Sequence, residues 1–434
     1  MNNIWDPVHE CMAREELEQL QLERLQATIN RVYKNVTFYR KKFHDLAIIP
    51  EDVRSLSDLA RLPFTTKDDL QMNYPYGMFA VPLREVVRIH SASGTTSKPL
   101  VVGYSRHDIR TWANLVARFL IAAGVNHDDV VQIAFRYGLF TGGFGIHYGA
   151  EAIGASVIPT GTGNTDQQIM IMQDYKTTAL ACTPGYALVL AERMEELGIE
   201  PKAMALRVGV FGGEPWSEAV RTEIETRLAI TALDNYGLSE VIGPGLAGEC
   251  TFKCGLHIFE DAFIPEIIDP RTTSILPPGS TGELVLTTIT KEAFPMVRYR
   301  TGDITSLDYS KCICGRTLVR MNRMMVRADD MLIVKGVNIY PSQIREIIFA
   351  AAQGEAPYQI ILKRQGVVDT LEISIEVTEK IFALEMKRQR AFLEMVRKRI
   401  ESAIGINAVV KLVEPKSLPR TGGIITPVVD RRSL

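Results

Sequence analysis

Between about residues 107 and 236 the sequence alternates strand-like and helix-like segments, and nothing else in the chain restricts the fold as much. Apolar runs at Val130–Phe135, Ser156–Pro159, Thr178–Thr183, Arg207–Phe211 and Ile230–Asn235 read as strands. Helical periodicity precedes and separates them over Asp108–Ala123, Gly142–Ile153, Thr165–Tyr175, Tyr186–Leu197 and Glu218–Leu228. Short strands joined by helices need crossover connections, and crossovers make a parallel sheet covered by helices. Ligands of such sheets gather beyond the carboxyl ends of the strands. Gly212-Gly213-Glu214-Pro215 and Tyr236-Gly237-Leu238-Ser239-Glu240 both fall just past a strand end.

The flanking sequence has a different character. Residues 14–33 have the pattern of an amphipathic opening helix, and 260–305 break into short strands punctuated by Pro and Gly. A third pattern follows Asp329. Strand Met331–Val334 leads to helix Ser342–Ala351, then strands Tyr358–Lys363 and Leu371–Val377, helix Lys380–Ile404 and strand Ala408–Val413. A chain of 434 residues exceeds the size of a single core. The expectation is α/β: a large N-terminal domain, 1–328, with parallel αβ sheets and a β-rich subdomain at about 241–328. A small mobile α+β lid domain, 329–434, completes it.

Charged residues make up 23% of the chain and the net charge is −2, without the basic footprint of a nucleic-acid binder. No apolar run approaches the roughly 20 residues that span a bilayer. The first 19 residues lack the pattern of a secretory signal. A cytoplasmic location is therefore expected, with no nucleic-acid and no membrane partner; a homodimer is left open.

Several segments carry recognisable chemistry. Ser91-Ala92-Ser93-Gly94-Thr95-Thr96-Ser97-Lys98-Pro99 packs five hydroxyls, one glycine and one cation between two apolar runs. Gly94 lets backbone approach an anion, the hydroxyls of Ser93, Thr95, Thr96 and Ser97 donate, and Lys98 offsets charge. The spacing is not that of a Walker loop, and a plain surface turn is the competing interpretation. Glu240 offers a carboxylate for Mg²⁺ beside phosphate. Asp303, in Tyr299-Arg300-Thr301-Gly302-Asp303, suits ribose hydroxyls, while Arg327, Asp329 and Lys335-Gly336 mark the domain junction. Each of these alone is an ordinary surface residue; their joint occurrence in this order is not.

On these motifs the chain resembles the acyl-adenylate-forming superfamily and, within it, the phenylacetate–CoA ligase family. Leu62-Pro63-Phe64-Thr65-Thr66-Lys67-Asp68-Asp69-Leu70, Tyr137-Gly138-Leu139-Phe140-Thr141-Gly142-Gly143, Phe211–Trp216 and Asp329–Asn338 carry the narrower resemblance. It implies two half-reactions: an aryl acid and Mg·ATP form an acyl-adenylate and pyrophosphate, then the CoA thiol releases AMP and the thioester. It also implies that Ser93 to Lys98 hold the β,γ-phosphates and Glu240 the Mg²⁺. Gly213, Glu214, Pro215, Asn235 and Tyr236 would then surround the adenine, with Gly237 also in the cofactor site and Asp303 and Arg327 on the ribose. Asp329 would be the hinge, and Lys335 and Gly336 would face CoA in the second pose. Phenylacetate is the expected acid; another aryl or heteroaryl acid, or a nucleotide-binding protein with impaired adenylation, are the alternatives.

Phe135, Phe140 and Ile146 cluster around a Gly-rich turn and are the candidates for an apolar acid pocket, with ordinary core packing as the competing interpretation. The superfamily resemblance also implies a lysine near the C-terminus, in a Pro-Arg-Ser/Thr-x-Gly-Lys setting. This chain has Pro419-Arg420-Thr421-Gly422-Gly423-Ile424, so an isoleucine replaces the charge. Losing one preorganised donor typically costs a factor of about 10²–10³ in the step it serves. Lys416 or Arg420 are the cations at hand to replace it. Finally, Cys250, His257, Cys312 and Cys314 supply ligands suited to a closed structural Zn²⁺, with Cys254 competing for Cys250's place. Unliganded reduced thiols are the alternative.

Overall fold

The computed structural model describes residues 4–92, 100–323, 326–327, 332–334, 337–339, 341–352, 354, 356–365, 368–377, 386–421, 424–425 and 427–431. The chain divides into two compact units, Met1–Met324 and Met325–Leu434. Among the described residues no helix is long and apolar enough to cross a membrane.

In the first unit an antiparallel pair, β1 (Arg88–Ala92) and β2 (Leu100–Tyr104), precedes the main sheet. That sheet contains β3 (Val130–Ile133), β4 (Ser156–Ile158), β5 (Ala179–Cys182), β6 (Val208–Gly212) and β7 (Thr231–Leu238), all parallel. It continues antiparallel through β8 (Gly243–Glu249) and β9 (Leu256–Ile258). Separate antiparallel strands β10 (Phe263–Ile268), β11 (Gly282–Thr288) and β12 (Tyr299–Thr305) follow. Two short strands, β13 (Leu307–Asp308) and β14 (Arg320–Met321), return to the main sheet beside β9, giving the order β13-β14-β9-β8-β7-β6-β5-β3-β4. The stretch 241–328 is thus shared between two sheets. Pairing partners lie far apart in sequence, so local patterning marks the strands without saying which sheet takes them.

The helices form where the sequence provides caps. Pro184 opens the helix Pro184–Glu196 and the Thr183 hydroxyl accepts from the Tyr186 N–H; Ser217 and Asn164 cap the helices Glu218–Leu228 and Thr165–Asp174 in the same way. The chain leaves β3 toward β4, then crosses back to β5 on the other side of β3. With right-handed crossovers this reversal places helices on both faces and opens a crevice at the carboxyl ends of β3 and β5.

The second unit has a sheet in which Tyr358–Gln365 and Val368–Glu376 pair antiparallel, while Ala408–Val413 and Val428–Asp430 add on in parallel. Helices Pro341–Ala352 and Met386–Ile404 pack against each other, and Ile344, Ile348, Val396 and Ile400 join the sheet's Ile360, Leu362, Ile373 and Ile375 in one core. The strand Val428–Asp430 is absent from the sequence-based expectation: three residues have too little periodicity to announce themselves. The segment 380–385, expected to begin the long helix, lies outside the described residues.

Buried ion pairs fasten the first unit. Arg298, 3% exposed, grips the Glu266 carboxylate with Nε and Nη2 at 3.0 and 2.9 Å. Its Nη1 donates to the carbonyls of Ala60 and Leu62, and its guanidinium lies 4.0 Å from the Phe64 ring centroid. Burial pushes the Glu266 carboxyl above its usual range, with Arg298 opposing. Arg298→Met should lower stability by about 3–5 kcal/mol, because it strands a buried carboxylate. The urea midpoint measures this, and pairing it with Glu266→Gln should recover part of the loss.

Candidate active site and metal centre

The crevice past β3, β5, β6 and β7 gathers residues from four strand ends. Gly213 has φ +84°, and a Cβ there would sit 3.8 Å from both the Phe135 ring and the Thr183 methyl, so these three ends converge. Glu214 Oε1 accepts from the Gly185 N–H at 2.7 Å, tying the loop after β6 to the first turn of the next helix. Gly213, Glu214 and Pro215 are exposed. Gly212 and Asn235 are register partners on β6 and β7, and Asn235 Oδ1 accepts from the Gly245 N–H at 3.0 Å. The Tyr236 hydroxyl donates to Asp303 Oδ2 at 2.5 Å, joining the end of β7 to β12 within buried surroundings. Gly213–Pro215, Asn235, Tyr236 and Asp303 therefore form one connected wall.

Glu240 lies half-buried in the turn between β7 and β8, and that turn is unusually well held. A Cβ on Gly237 would stand 1.8 Å from the Gly243 carbonyl oxygen, so only glycine permits this crossing. Ser239 Oγ shares a hydrogen bond with Thr141 Oγ1 at 2.9 Å. The Val241 carbonyl accepts from Lys291 Nζ at 2.8 Å, the Ile242 carbonyl from the Tyr104 hydroxyl at 3.0 Å, and the Pro244 carbonyl from Trp112 Nε1 at 2.8 Å. Lys291 is 3% exposed. Burial pushes its amine down to about 7, against the attraction of Asp108 and Glu240. Nothing in Thr290-Lys291-Glu292-Ala293 distinguishes it from a surface lysine, so sequence reasoning passes over it.

The remaining candidates are placed unequally. Phe135 and Ile146 belong to the main core, whereas Phe140 is 37% exposed. Ser93 to Lys98 lie outside the described residues, but their stems are described: Ala92 and Leu100 are paired, and the Ser91 N–H donates to the Leu139 carbonyl. Asp329, Lys335 and Gly336 also lie outside them, and Arg327 is described only as strand backbone. In the second unit Arg420 is committed to Glu376, with Nη1 and Nη2 at 2.9 and 2.7 Å from the carboxylate. Lys416 is exposed. Ile424 is the register partner of Thr421, while Gly422 and Gly423 between them lie outside the described residues.

Cys250, His257, Cys312 and Cys314 converge so that their four ligand atoms all lie within 4.8 Å of one another. Cys250 follows β8, His257 is on β9, and the other two lie between β13 and β14. Cys250 Sγ and Cys312 Sγ are 3.8 Å apart, and Cys314 Sγ is 3.5 Å from His257 Nε2. A tetrahedron with Zn–S of about 2.3 Å and Zn–N of about 2.0–2.1 Å has S···S and S···N edges of about 3.8 and 3.5 Å. The donor set and spacing fit such an ion. The hydrogen bond from Cys250 holds the Cys314 thiol well below the ordinary range, aided by His257. Cys254 is exposed, donates to the Phe252 carbonyl, and stands apart from the cluster. Arg316, fully buried, donates from Nη1 to Cys314 Sγ at 3.6 Å and from Nε to Glu10 Oε2 at 2.5 Å.

Residues 80–290 match the family model described as AMP-binding enzyme, and residues 336–432 match that of the AMP-binding enzyme C-terminal domain. The chain is 47% identical to the phenylacetate-coenzyme A ligase of Escherichia coli, covering 100% of this chain and 99% of that one. It is 43% identical to the enzyme of the same name from Thermus thermophilus, covering 99% and 100%. The chain belongs to the phenylacetate–CoA ligase family. Among solved structures, a 2-hydroxyisobutyryl-CoA ligase in complex with R3-HIB-AMP superposes with a TM-score of 0.89 at 28% identity, covering 99% of this chain and 93% of that one. The family assignment and the mixed α/β architecture agree with what the motifs imply.

Lys291 makes stability depend on pH. Its amine is depressed to about 7 in the fold, against an ordinary value of 10.5, so between those values the unfolded chain binds the extra proton. This contribution rises from about pH 7 to about 10.5. Lys291→Met should flatten it, gaining most stability at or below about pH 7; urea midpoints at about pH 6.5 and about pH 9 test this.

Proposed function

We propose that this chain is a phenylacetate–CoA ligase that forms an acyl-adenylate from Mg·ATP and then the phenylacetyl thioester. The observation that carries this reading is full-length similarity to enzymes of that name, joined to a connected crevice wall at the strand ends. In the first half-reaction a carboxylate oxygen attacks the α-phosphorus and pyrophosphate leaves. In the second, the CoA sulfur attacks the acyl carbon and AMP leaves. We assign Gly213, Glu214, Pro215, Asn235, Tyr236 and Gly237 to the adenine wall. Asp303, fixed by Tyr236, and Arg327 are assigned to the ribose, and Ser93 to Lys98 to the β,γ-phosphates. Glu240, a hard oxygen donor in a pinned turn, suits Mg²⁺, which would supply charge neutralisation at the phosphates. Phe135, Phe140 and Ile146 are assigned to the aryl ring, and Asp329, Lys335 and Gly336 to the change between half-reactions. Residues 329–434 would act as the lid.

A second reading rests on Ile424. With Arg420 already engaged by Glu376, Lys416 is left as the exposed alternative cation, and a nucleotide-binding protein with slow adenylation follows. Pyrophosphate release with phenylacetate and ATP, with and without CoA, separates the two. Rapid release supports the ligase, and silence across a panel of aryl acids sinks it. Ile424→Lys should speed the adenylation step by a factor of about 10²–10³, leaving thioester formation from supplied adenylate unchanged. An unchanged first step would mean that another group fills the role.

We assign the Cys250–His257–Cys312–Cys314 cluster to structural Zn²⁺, a site compatible with a reducing cytoplasm. Elemental analysis should find about one zinc per chain, lost in Cys312→Ser with Cys314→Ser. Because Arg316 links Cys314 to Glu10, chelation should also speed amide exchange over residues 5–10. Metal content near zero in both proteins would refute the assignment.

A further inference from the structure

We propose that Lys291 is a positioning residue for Glu240, holding the β7–β8 turn in the shape that presents this carboxylate to a divalent cation. The inference rests on the reading of Glu240 as the Mg²⁺ residue. Lys291 touches neither acid nor nucleotide in that reading; it acts through the Val241 carbonyl, one residue from Glu240.

The geometry points to fixation. Lys291 Nζ lies 4.1 Å from the Tyr104 ring centroid, and that same tyrosine donates to the next carbonyl, Ile242. Tyr104 is stacked on Trp112 at 5.1 Å and 18°, and Trp112 holds the Pro244 carbonyl. Lysine, tyrosine and tryptophan thus form a layered rail whose three donors address carbonyls 241, 242 and 244. The backbone that delivers Lys291 is itself fixed: Asp108 accepts from the N–H groups of Glu292 at 2.7 Å and Ala293 at 3.0 Å. Ser105 Oγ donates to the Glu292 carboxylate at 2.9 Å. The rail therefore runs from the amino end of the helix Arg106–Ala122 to the Glu240 turn.

A lysine that only filled space would be a poor choice, since burying an amine costs more than burying a methionine of similar length. Its N–H donation to Val241 persists whether or not the amine carries its extra proton, so the role does not depend on charge. Partners behind metal-holding residues typically change metal affinity by factors of about 10–100 when removed.

The test uses the full chain carrying Lys291→Met, Glu240→Gln, both together, or Tyr104→Phe. ATP binding is followed by calorimetry at a series of Mg²⁺ concentrations, with urea midpoints as the folding control. Lys291→Met should raise the Mg²⁺ concentration for half-maximal binding about 10-fold while its midpoint is equal or higher. Added to Glu240→Gln it should have little further effect, because the two act through one group. Tyr104→Phe, which keeps the ring and loses the Ile242 bond, should shift Mg²⁺ dependence in the same direction and carries the test if Lys291→Met does not fold. Wild-type Mg²⁺ dependence in Lys291→Met beside a sensitive Glu240→Gln, or effects that multiply in the double variant, would overturn the positioning role alone. An insensitive Glu240→Gln would remove the reading of Glu240, and the proposal with it.

Discussion

The crossing of Gly237 over the Gly243 carbonyl is the constraint on which the site depends. At this point the main sheet changes from parallel to antiparallel, and the chain must reverse within a few residues of a strand end. Any side chain at 237 would collide with backbone, which cannot rotate away as a side chain can. The reversal places Glu240 at the carboxyl end of β7, beside the crevice opened by the change of direction around β3. A turn this tight has carbonyls facing inward. Tyr104, Trp112 and Lys291 satisfy them from the flanking elements, and so the turn's shape is set by side chains outside the turn itself.

Charge buried elsewhere in the first unit has a similar organising effect. Arg118 bridges Asp6 and Asp261, Arg316 meets Glu10, and Arg14 meets Glu260, each joining the N-terminal segment to elements far along the chain. Such pairs add little net stability compared with apolar replacements, but removing one partner is costly. Their value here is registration. A short segment with little apolar surface of its own is fixed by directional contacts, and through Arg316 that fixation reaches the cysteine–histidine cluster.

Legibility in the sequence followed the range of the interactions. The alternation over 107–236 made β3 to β7 and their helices readable, because both periodicities and caps are local properties. Strands β13, β14 and Val428–Asp430 escaped notice, since two or three residues have no period. The converging cysteines and histidine were readable as candidate ligands from residue type alone, and their separation in sequence hid only the geometry. Lys291 was illegible for the opposite reason: its segment looks exposed, and burial arises from Asp108 and Tyr104, both far earlier in the chain. Arg420 was visible as a cation, but the carboxylate that engages it, Glu376, belongs to a strand 44 residues away.

That engagement bears on what kind of enzyme tolerates Ile424. A guanidinium gripped by two carboxylate oxygens would have to surrender both bonds and leave Glu376, 4% exposed, without its partner before it could serve a phosphate. The cost of stranding a buried carboxylate is comparable to the benefit of one donor in a polar transition state. Arg420 therefore has little to gain by moving. On the proposed assignment the adenylation step would then fall to the crevice groups, the segment 93–98, Glu240 and the exposed Lys416, and its rate would depend more heavily on how rigidly the fixed groups are preorganised. If Glu240 holds the divalent cation as proposed, a chain with isoleucine at 424 would place a premium on such fixed groups, and the layered support behind Glu240 would matter accordingly.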